Sequence, residues 1–241
     1  MIDTHAHIIK EYFNNIEELV EELKQKNVIY VINCSTSIND AKEIIELSNK
    51  TNNFLLPAIG IHPEIVNDFN KINELEELIK NNKIVAIGEI GLDYYWNKEN
   101  KEEQKKCLKN QLDLAEKYNL PILVHTRESI QDTFDILKDR KLKGIIHCYS
   151  GSYEMAKEFI KLGYKLGIGG VLTFKNSKLY EVIEKLDLKD IVLETDSPYL
   201  SPEPYRGKQN NPYNIYYVAK KIAEIKNIEI DKVIEETTNN A

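Results

Sequence analysis

Short apolar runs alternate with amphipathic segments from one end of the chain to the other. Eight runs are rich in Ile and Val and stop at glycine, proline or polar residues, which is typical of buried β-strands. These runs lie at residues 1–7, 28–34, 54–61, 84–90, 121–125, 144–147, 165–169 and 191–195. The segments between them show helical spacing of apolar residues, for example at Ile16, Leu19, Val20 and Leu23. The pattern therefore predicts a regular alternation of strands and helices.

Polar residues that commonly cap helices stand ahead of several amphipathic segments. Side-chain oxygens at such positions accept hydrogen bonds from the free N–H groups of the first helical turn. The sequence predicts N-caps at Asn15, Asn39 and Ser152.

The alternation of strands and helices also predicts the fold class. Near-continuous apolar strands separated by amphipathic helices favour a parallel sheet covered by helices, so the class is α/β. Eight such units indicate closure into a TIM (β/α)8 barrel, with an open doubly wound sheet as the alternative that a strand count leaves open. The chain has 241 residues and no linker-like tract, so we predict one domain over residues 1–241.

Composition narrows the class of protein. The formal net charge is -7, which argues against a module that coats nucleic acid but not against an enzyme whose site carries metal cations. Three scattered cysteines fit a reducing compartment. The chain starts without the features of a signal peptide, and no apolar run is long enough to cross a membrane. We therefore expect a cytoplasmic protein without membrane association.

Histidines and two acidic residues concentrate at the ends of the predicted strands. The five histidines of the chain all lie at or just beyond a strand's C-terminal end, and they are His5, His7, His62, His125 and His147. Glu89 and Asp196 occupy the same kind of position. In a (β/α)8 barrel this end of the strands is the catalytic face, so we expect these side chains to meet.

The residue types in this set predict a metal site. His5 and His7 are two positions apart on one strand, so their imidazoles point the same way and can hold one ion. The two oxygens of Glu89 can bridge two cations. Asp196 can bind an ion and accept a proton from the attacking water. Glu194 has the parity of Asp196, so it either orients a ligand or pairs elsewhere.

All candidate ligands are nitrogen or oxygen atoms, which suits Zn, Mn, Fe or Mg. Cys148 should face away from the ligands because strand side chains alternate, and we interpret it as a packing residue. Two ions ~3.5–4 Å apart would activate a water and stabilise both the attacking and the leaving oxygens. The residues thus predict hydrolysis of a phosphoester, an amide or a related group, without deciding between them.

Several motifs together resemble the TatD family of metal-dependent deoxyribonucleases, in order along essentially the whole chain. The matching stretches are residues 3–7 (DTHAH), 60–64 (GIHPE), 88–95 (GEIGLDYY), 125–127 (HTR), 147–151 (HCYSG), 194–198 (ETDSP) and 204–208 (PYRGK), with Asn211 after them. Ala6 departs from the pattern, since many members have Cys there, but it should face away from the site.

The resemblance implies a TIM barrel with divalent ions held by His5, His7, Glu89, His125, His147 and Asp196. It also implies cleavage of DNA phosphodiesters, typically from the 3′ end of single strands, with Mg²⁺ or Mn²⁺ and with Zn²⁺ as a further option. Two ions are expected, and a third is left open. By the same resemblance, His62 would contact the substrate phosphate or the leaving group. We expect a monomer without an obligate protein partner, since nothing in the sequence identifies an oligomer.

Cationic and aromatic residues after the strands are candidates for substrate contacts. Basic side chains there could bind phosphates next to the scissile bond, with solvated charges as the alternative, and they are Arg127, Lys175, Arg206 and Lys208. Tyr94, Tyr95 and Trp96 follow the fourth strand and could stack unpaired bases. Packing of that loop against the barrel is the alternative, equally open for Tyr94 and favoured for the other two.

Three functions remain as hypotheses, and the leading one is a deoxyribonuclease, a hydrolase of ester bonds that uses a metal-activated water. In it, Asp196 takes the proton of the water, Glu89 holds the ions together and His62 contacts substrate. The alternative is a metal-dependent ester or amide hydrolase, such as an aminoacyl-tRNA deacylase. Many amidohydrolases bridge their ions with a modified lysine, so Glu89 favours the phosphodiesterase. The net charge and the convergent ligands disfavour the third, a non-enzymatic binding module.

Overall fold

A computed structural model of the protein describes all residues from Met1 to Ala241. Eight parallel strands lie in one sheet in the order of the chain. The strands are β1 (Ile2–Ala6), β2 (Tyr30–Cys34), β3 (Leu55–Ile59), β4 (Ala86–Asp93), β5 (Ile122–Arg127), β6 (Gly144–Ile146), β7 (Lys165–Ile168) and β8 (Ile191–Leu193). All eight predicted strands are therefore present.

Helices separate the strands, as the hydrophobic pattern predicts. They are α1 (Ile16–Gln25), α2 (Ile38–Lys50), α3 (Ile72–Asn81), α4 (Lys101–Tyr118), α5 (Ile130–Leu137), α6 (Tyr153–Lys161), α7 (Leu179–Lys185), α8 (Ile215–Lys226) and α9 (Ile230–Asn240). Short 3-10 helices lie at Val66–Asp68, Gly170–Thr173, Leu188–Asp190 and Pro212–Asn214. None of the helices combines the length and the apolar character needed to span a membrane.

Two of the three predicted N-caps are confirmed. The side chains of Asn15 and Ser152 each accept a hydrogen bond from a backbone N–H in the first turn of their helix. The prediction for Asn39 is wrong, because the Ser37 side chain accepts from the N–H of Asp40 and starts α2 two residues earlier. Asn39 consequently lies inside the first turn of α2.

The chain divides into two compact units, which we describe separately. The first comprises Met1–Asn33 and Cys148–Ala241. In it β7 pairs with β8, and the segment after β8 pairs with β1 through a bridge between Ala6 and Ser197. The N–H of Asp196 donates to the carbonyl of His5 at 2.9 Å, and the N–H of His7 donates to Ser197 at 2.7 Å. The first strand and the segment that directly follows the last strand are thus hydrogen-bonded, so the (β/α)8 barrel is confirmed and the open sheet is excluded.

The second unit comprises Cys34–His147 and contains β3 to β6 in sequential order. Strand β4 pairs with β3 on one side and β5 on the other, and all eight of its residues are buried. The β4–β5 pairing continues as far as Asp93 and Arg127, which are partners in the ladder. Because backbone hydrogen bonds extend this far, β4 and β5 end three and two residues later than predicted. The organisation of residues 1–241 as one domain stays a prediction.

Candidate metal centre

The five histidines all lie within the last three residues of a strand or up to three residues beyond it. His5 lies in β1 and His7 follows it, while His125 lies in β5. His62 and His147 follow β3 and β6. Each histidine therefore lies near the C-terminal end of its strand, as the sequence predicts.

The first ligand group consists of His5, His7 and Asp196, all in the first unit. The Nε2 atoms of the two imidazoles are 3.2 Å apart. The Oδ1 atom of Asp196 lies 3.4 Å from His7 Nε2 and 3.8 Å from His5 Nε2. Three potential ligand atoms therefore point at one another across a small space.

These distances fit a divalent ion. Ligand atoms placed ~2.0–2.1 Å from one tetrahedral ion are about 3.3 Å from each other, close to the separations in the first ligand group. Two imidazole nitrogens and a carboxylate oxygen also form a donor set that suits Zn, Mn or Fe. His5 is fully buried and His7 is 6% exposed, so few waters compete with these donors. The first ligand group can thus hold a metal ion.

A buried carboxylate, Asp3, fixes the backbone beneath the first ligand group. Its Oδ1 accepts hydrogen bonds from the N–H groups of His5 at 3.2 Å and Thr195 at 3.0 Å. Its Oδ2 accepts from the Thr195 hydroxyl at 2.5 Å. Complete burial raises the pKa of Asp3 well above its usual value. The strand carrying the histidines is thereby joined to the segment carrying Asp196, a role that the sequence did not reveal.

Asp196 itself adopts a left-handed backbone conformation, with φ of 58°. Asp tolerates this region better than most residues, and the turn redirects the chain just after β8. The buried Asn210 stabilises the turn, because its side-chain N–H₂ group donates to the carbonyls of Thr195 at 2.8 Å and Tyr199 at 2.7 Å. The position of the Asp196 carboxylate therefore depends on contacts made by Asn210, further along the chain.

The second ligand group consists of His62, Glu89, His125 and His147, all in the second unit. The Oε1 atom of Glu89 lies 2.9 Å from His125 Nδ1, 3.4 Å from His62 Nε2 and 3.8 Å from His147 Nε2. Glu89 is 4% exposed. One buried carboxylate thus faces three imidazoles, and this donor set also suits a divalent ion.

One candidate ligand in each group lies in a β-bulge of its strand. Between Ile87 and Ile90, β4 has one residue more than its partner strand β5, and Glu89 lies in this bulge. Strand β1 has the same extra residue relative to β2 between Asp3 and Ala6, where His5 lies. Bulges commonly re-aim side chains next to active sites. Glu89 therefore lies in the middle of β4, whereas the sequence predicts it at the C-terminal end of the strand.

His125 is held between two carboxylates. Its Nδ1 faces Glu89, while its Nε2 is 2.9 Å from Oδ2 of the completely buried Asp93. Burial acts to lower the pKa of His125, but the hydrogen bonds with Asp93 and Glu89 outweigh it and raise that pKa to about 9. A carboxylate on the far nitrogen of a ligand histidine fixes the ring and makes the ligand more basic. Asp93 thus orients His125, although sequence reasoning gave it no role.

Replacing Asp93 with Ala should weaken ion binding without removing any ligand. We expect divalent ions to bind about 10- to 100-fold more weakly, because the His125 ring loses the partner that orients it. Isothermal titration of the apoprotein with Zn²⁺ measures the effect. The Asp113→Ala variant, at an exposed position on α4, is the matched control. Equal affinities in the Asp93 and Asp113 variants would contradict the orienting role.

His62 differs from the other histidines in its hydrogen bonding. Its Nδ1 accepts a hydrogen bond from the backbone N–H of Glu64 at 3.2 Å, so in the neutral ring the proton sits on Nε2. That nitrogen points towards Glu89. In this tautomer His62 donates from Nε2, so we take Glu89, His125 and His147 as the ion ligands of the second ligand group, and the substrate-contact role of His62 stays a prediction.

The aromatic residues after β4 divide into one buried ring and two exposed rings. Tyr94 is 4% exposed, its hydroxyl donates to Asp132 at 2.8 Å, and the Lys101 ammonium lies over its ring. This environment favours the packing interpretation of Tyr94. Tyr95 and Trp96 are 49% and 64% exposed, so their ring faces are open to solvent.

The candidate phosphate ligands all have exposed side chains. Arg127 is the last residue of β5 and does not follow the strand, and its guanidinium lies 3.8 Å from the ring centre of Tyr95. Arg206 lies at the same distance over Phe174. Lys175 and Lys208 lie in loops, where the Lys208 ammonium is 6.0 Å from the ring centre of a tyrosine. The two arginines are therefore positioned by rings, while the lysines are not held closely.

Glu194 and Cys148 contact each other on the first unit. The backbone N–H of Cys148 donates to Oε1 of the buried Glu194 at 2.6 Å. Glu194 thus holds the backbone of the residue that follows His147. This contact agrees with the orienting role considered for Glu194.

Taken with the barrel, the two ligand groups define a class of protein, the metal-dependent hydrolases whose ligands lie at the C-terminal ends of barrel strands. Sequence and structure comparisons identify the family within this class. The family model described as TatD related DNase matches residues 2–241, and the chain belongs to the TatD family of metal-dependent hydrolases.

Three relatives illustrate the similarity. The chain is 39% identical to the Bacillus subtilis "Uncharacterized metal-dependent hydrolase YabD", covering 100% of this chain and 97% of that protein. It is 32% identical to the human "Deoxyribonuclease TATDN3", covering 100% and 93%. The crystal structure of YJJV, a TatD homologue from Escherichia coli, superposes with a TM-score of 0.90 at 29% identity, covering 100% and 95%.

Proposed function

We propose that this protein is a deoxyribonuclease that removes nucleotides from the 3′ end of single-stranded DNA by hydrolysis. The proposal includes two divalent ions held by His5, His7, Glu89, His125, His147 and Asp196, with Glu89 as the bridge. Mg²⁺ or Mn²⁺ are the proposed ions in activity. A monomeric state and a cytoplasmic location are part of the same proposal.

The observation that carries this proposal is the position of Glu89. Its buried carboxylate faces the nitrogens of three imidazoles at 2.9–3.8 Å, and it is the bridge candidate of this chain, whereas many amidohydrolases bridge their ions with a modified lysine. A glutamate bridge favours phosphodiester hydrolysis over amide or lactone hydrolysis. Membership of a family described as DNase-related and similarity to a relative named deoxyribonuclease support the same choice.

The residues have distinct roles in the proposed reaction. Bound divalent ions would supply an activated water and neutralise the charge that develops on the phosphoryl oxygens. Asp196 accepts the proton of the attacking water, since its carboxylate is 16% exposed and can be reached by solvent. His62 donates a hydrogen bond from Nε2 to a substrate oxygen. Arg127 binds a phosphate next to the scissile bond with its planar guanidinium.

Incubation with labelled nucleic acids tests the proposed function. The substrates are a 5′-labelled single-stranded DNA, the same sequence as a duplex and as RNA, and a panel of carboxylic esters and lactones. Each is tested with Mg²⁺, Mn²⁺ and Zn²⁺. We expect a ladder that shortens from the 3′ end of the single strand. Rapid ester turnover with DNA left intact under every ion would contradict the proposal.

A further inference from the structure

Two exposed aromatic rings form a small platform after β4. Tyr95 and Trp96, which we call the aromatic platform, contact each other edge to face with ring centres 4.9 Å apart and planes at 83°. Trp96 is the single tryptophan of the chain and is 64% exposed. Adjacent large rings left in water commonly mark a binding surface. The reaction described above makes no use of either ring.

A guanidinium covers one side of the aromatic platform. The Arg127 Cζ atom lies 3.8 Å from the ring centre of Tyr95 and 5.5 Å from that of Trp96. The neighbouring Glu128 pairs with Lys98 at 3.2 Å, and Arg127 makes no ion pair with any carboxylate. Stacking on a ring holds a guanidinium plane while its N–H edge remains able to bind a phosphate.

One carboxylate connects the aromatic platform to the second ligand group. Oδ1 of Asp93 accepts hydrogen bonds from the backbone N–H groups of Tyr95 at 2.9 Å and Trp96 at 3.2 Å. Its Oδ2 is bound by Nε2 of His125 at 2.9 Å. The same side chain therefore fixes the turn that presents the rings and the imidazole that faces Glu89.

The geometry of β5 shows in which order a bound strand would meet the second ligand group, Arg127 and the aromatic platform. Arg127 lies two residues after His125 in β5, so the two side chains leave the same face of the strand roughly 6.6 Å apart. Asp93 and Arg127 are partners in the β4–β5 ladder, and the N–H of Tyr94 donates to the Arg127 carbonyl at 2.9 Å. A chain of nucleotides leaving the ligand group along β5 would meet Arg127 first and the aromatic platform next.

We propose that Tyr95, Trp96 and Arg127 form a nucleotide subsite in which an unpaired base stacks on the Trp96 indole while Arg127 binds the adjoining phosphate. The identity of the substrate as nucleic acid rests on the proposed function. Stacking on an aromatic face is tolerant of base identity but needs a base whose own face is free. The subsite therefore selects single strands over duplexes.

The single tryptophan allows a direct binding test. The Asp196→Asn variant with Mg²⁺ is titrated with a single-stranded oligonucleotide, and the emission of Trp96 is recorded. We expect saturable quenching, because a stacked base quenches the indole. Oligonucleotides with one abasic position, moved stepwise from the 3′ end, should lose the quenching at one position only. Binding without quenching, or quenching that is indifferent to every abasic position, overturns the subsite.

Substitution tests the contribution of the subsite to turnover. Loss of a stacked base partner corresponds to roughly a tenfold weaker interaction, so Trp96→Ala should raise KM for single-stranded DNA about tenfold with kcat largely retained. Trp96→Phe should recover most of this loss, because a ring face is restored. The matched control is Tyr180→Ala, since Tyr180 is as exposed as Tyr95 but lies on α7. An unchanged KM in Trp96→Ala overturns the proposal.

The two readouts separate the subsite from the proposed function. If no ion supports hydrolysis of DNA, or of a chromogenic phosphodiester that carries no nucleobase, the proposed function fails. The quenching titration alone then decides whether the subsite exists. If DNA is hydrolysed with the same KM by the native protein and by Trp96→Ala, the nuclease stands and the subsite fails. Quenching together with a KM effect supports both.

Discussion

Replacement of Asp196 by Asn is expected to lower kcat for DNA hydrolysis about a thousandfold. A positioned general base contributes ~10²- to 10⁴-fold to a rate, and an amide cannot accept the proton of the attacking water. The substitution also replaces a charged oxygen 3.4 Å from His7 Nε2 with a neutral group, so ion binding in the first ligand group weakens as well. Initial rates on labelled single-stranded DNA at saturating Mg²⁺ measure the loss.

The fold should survive this change. Asn has the size of Asp and also tolerates the left-handed backbone that residue 196 adopts. The hydrogen bond from its backbone N–H to the carbonyl of His5 is independent of the side chain. The control is Asp187→Asn, the same chemical change at a side chain that is 72% exposed. An Asp196→Asn rate within about threefold of the Asp187→Asn rate would contradict the role of Asp196 as the proton acceptor.

Replacement of Glu89 by Gln is expected to produce the largest loss of ion binding. The carboxylate faces three imidazole nitrogens at 2.9–3.8 Å, and the neutral amide supplies neither its charge nor its second ligand oxygen. Changes to a hydrogen-bonding partner of a ligand cost up to about 100-fold in ion affinity, so loss of the ligand itself should cost at least that much. We expect kcat/KM for DNA to fall about a thousandfold.

Two measurements check the Glu89 prediction. Titration of the apoprotein with Mn²⁺, followed by electron paramagnetic resonance, gives the number of ions bound and their affinity. Rates measured at increasing Mn²⁺ show whether excess ion restores turnover, which a purely structural defect would not allow. Glu102→Gln is the control, because that side chain on α4 is 84% exposed. Native ion affinity in the Glu89→Gln variant would exclude Glu89 as a ligand.

Much of the fold follows from the hydrophobic pattern because each barrel strand is a short buried run between amphipathic helices. Each strand is recognisable by itself, and the parallel arrangement places all C-terminal ends together. The six metal-ligand candidates could be chosen for the same reason, since His, Asp and Glu at strand ends are seldom needed for packing.

The sequence could not show interactions that depend on strand pairing. The predicted strand ends at Ile90 and leaves Asp93 outside it, whereas ladder hydrogen bonds with β5 extend β4 to Asp93. The contact between Asp93 and His125 joins two strands, and no spacing along the chain encodes it. Alternation alone does not decide which ring after β4 faces solvent, so the sequence leaves stacking open for Tyr94 and favours packing for Tyr95 and Trp96, whereas Tyr94 is the buried ring. Bulges at His5 and Glu89 were equally invisible, because an extra residue is defined only against a partner strand.

The two ligand groups are expected to hold divalent ions. Diffraction from crystals grown with Zn²⁺, recorded on both sides of the zinc absorption edge, tests this expectation most directly. We predict one anomalous peak within ~2.3 Å of Nε2 of His5 and His7, and a second peak at the same distance from Glu89 and a neighbouring imidazole. If crystals with saturating Zn²⁺ show anomalous peaks only at other surface residues and none in either ligand group, the two groups do not hold ions.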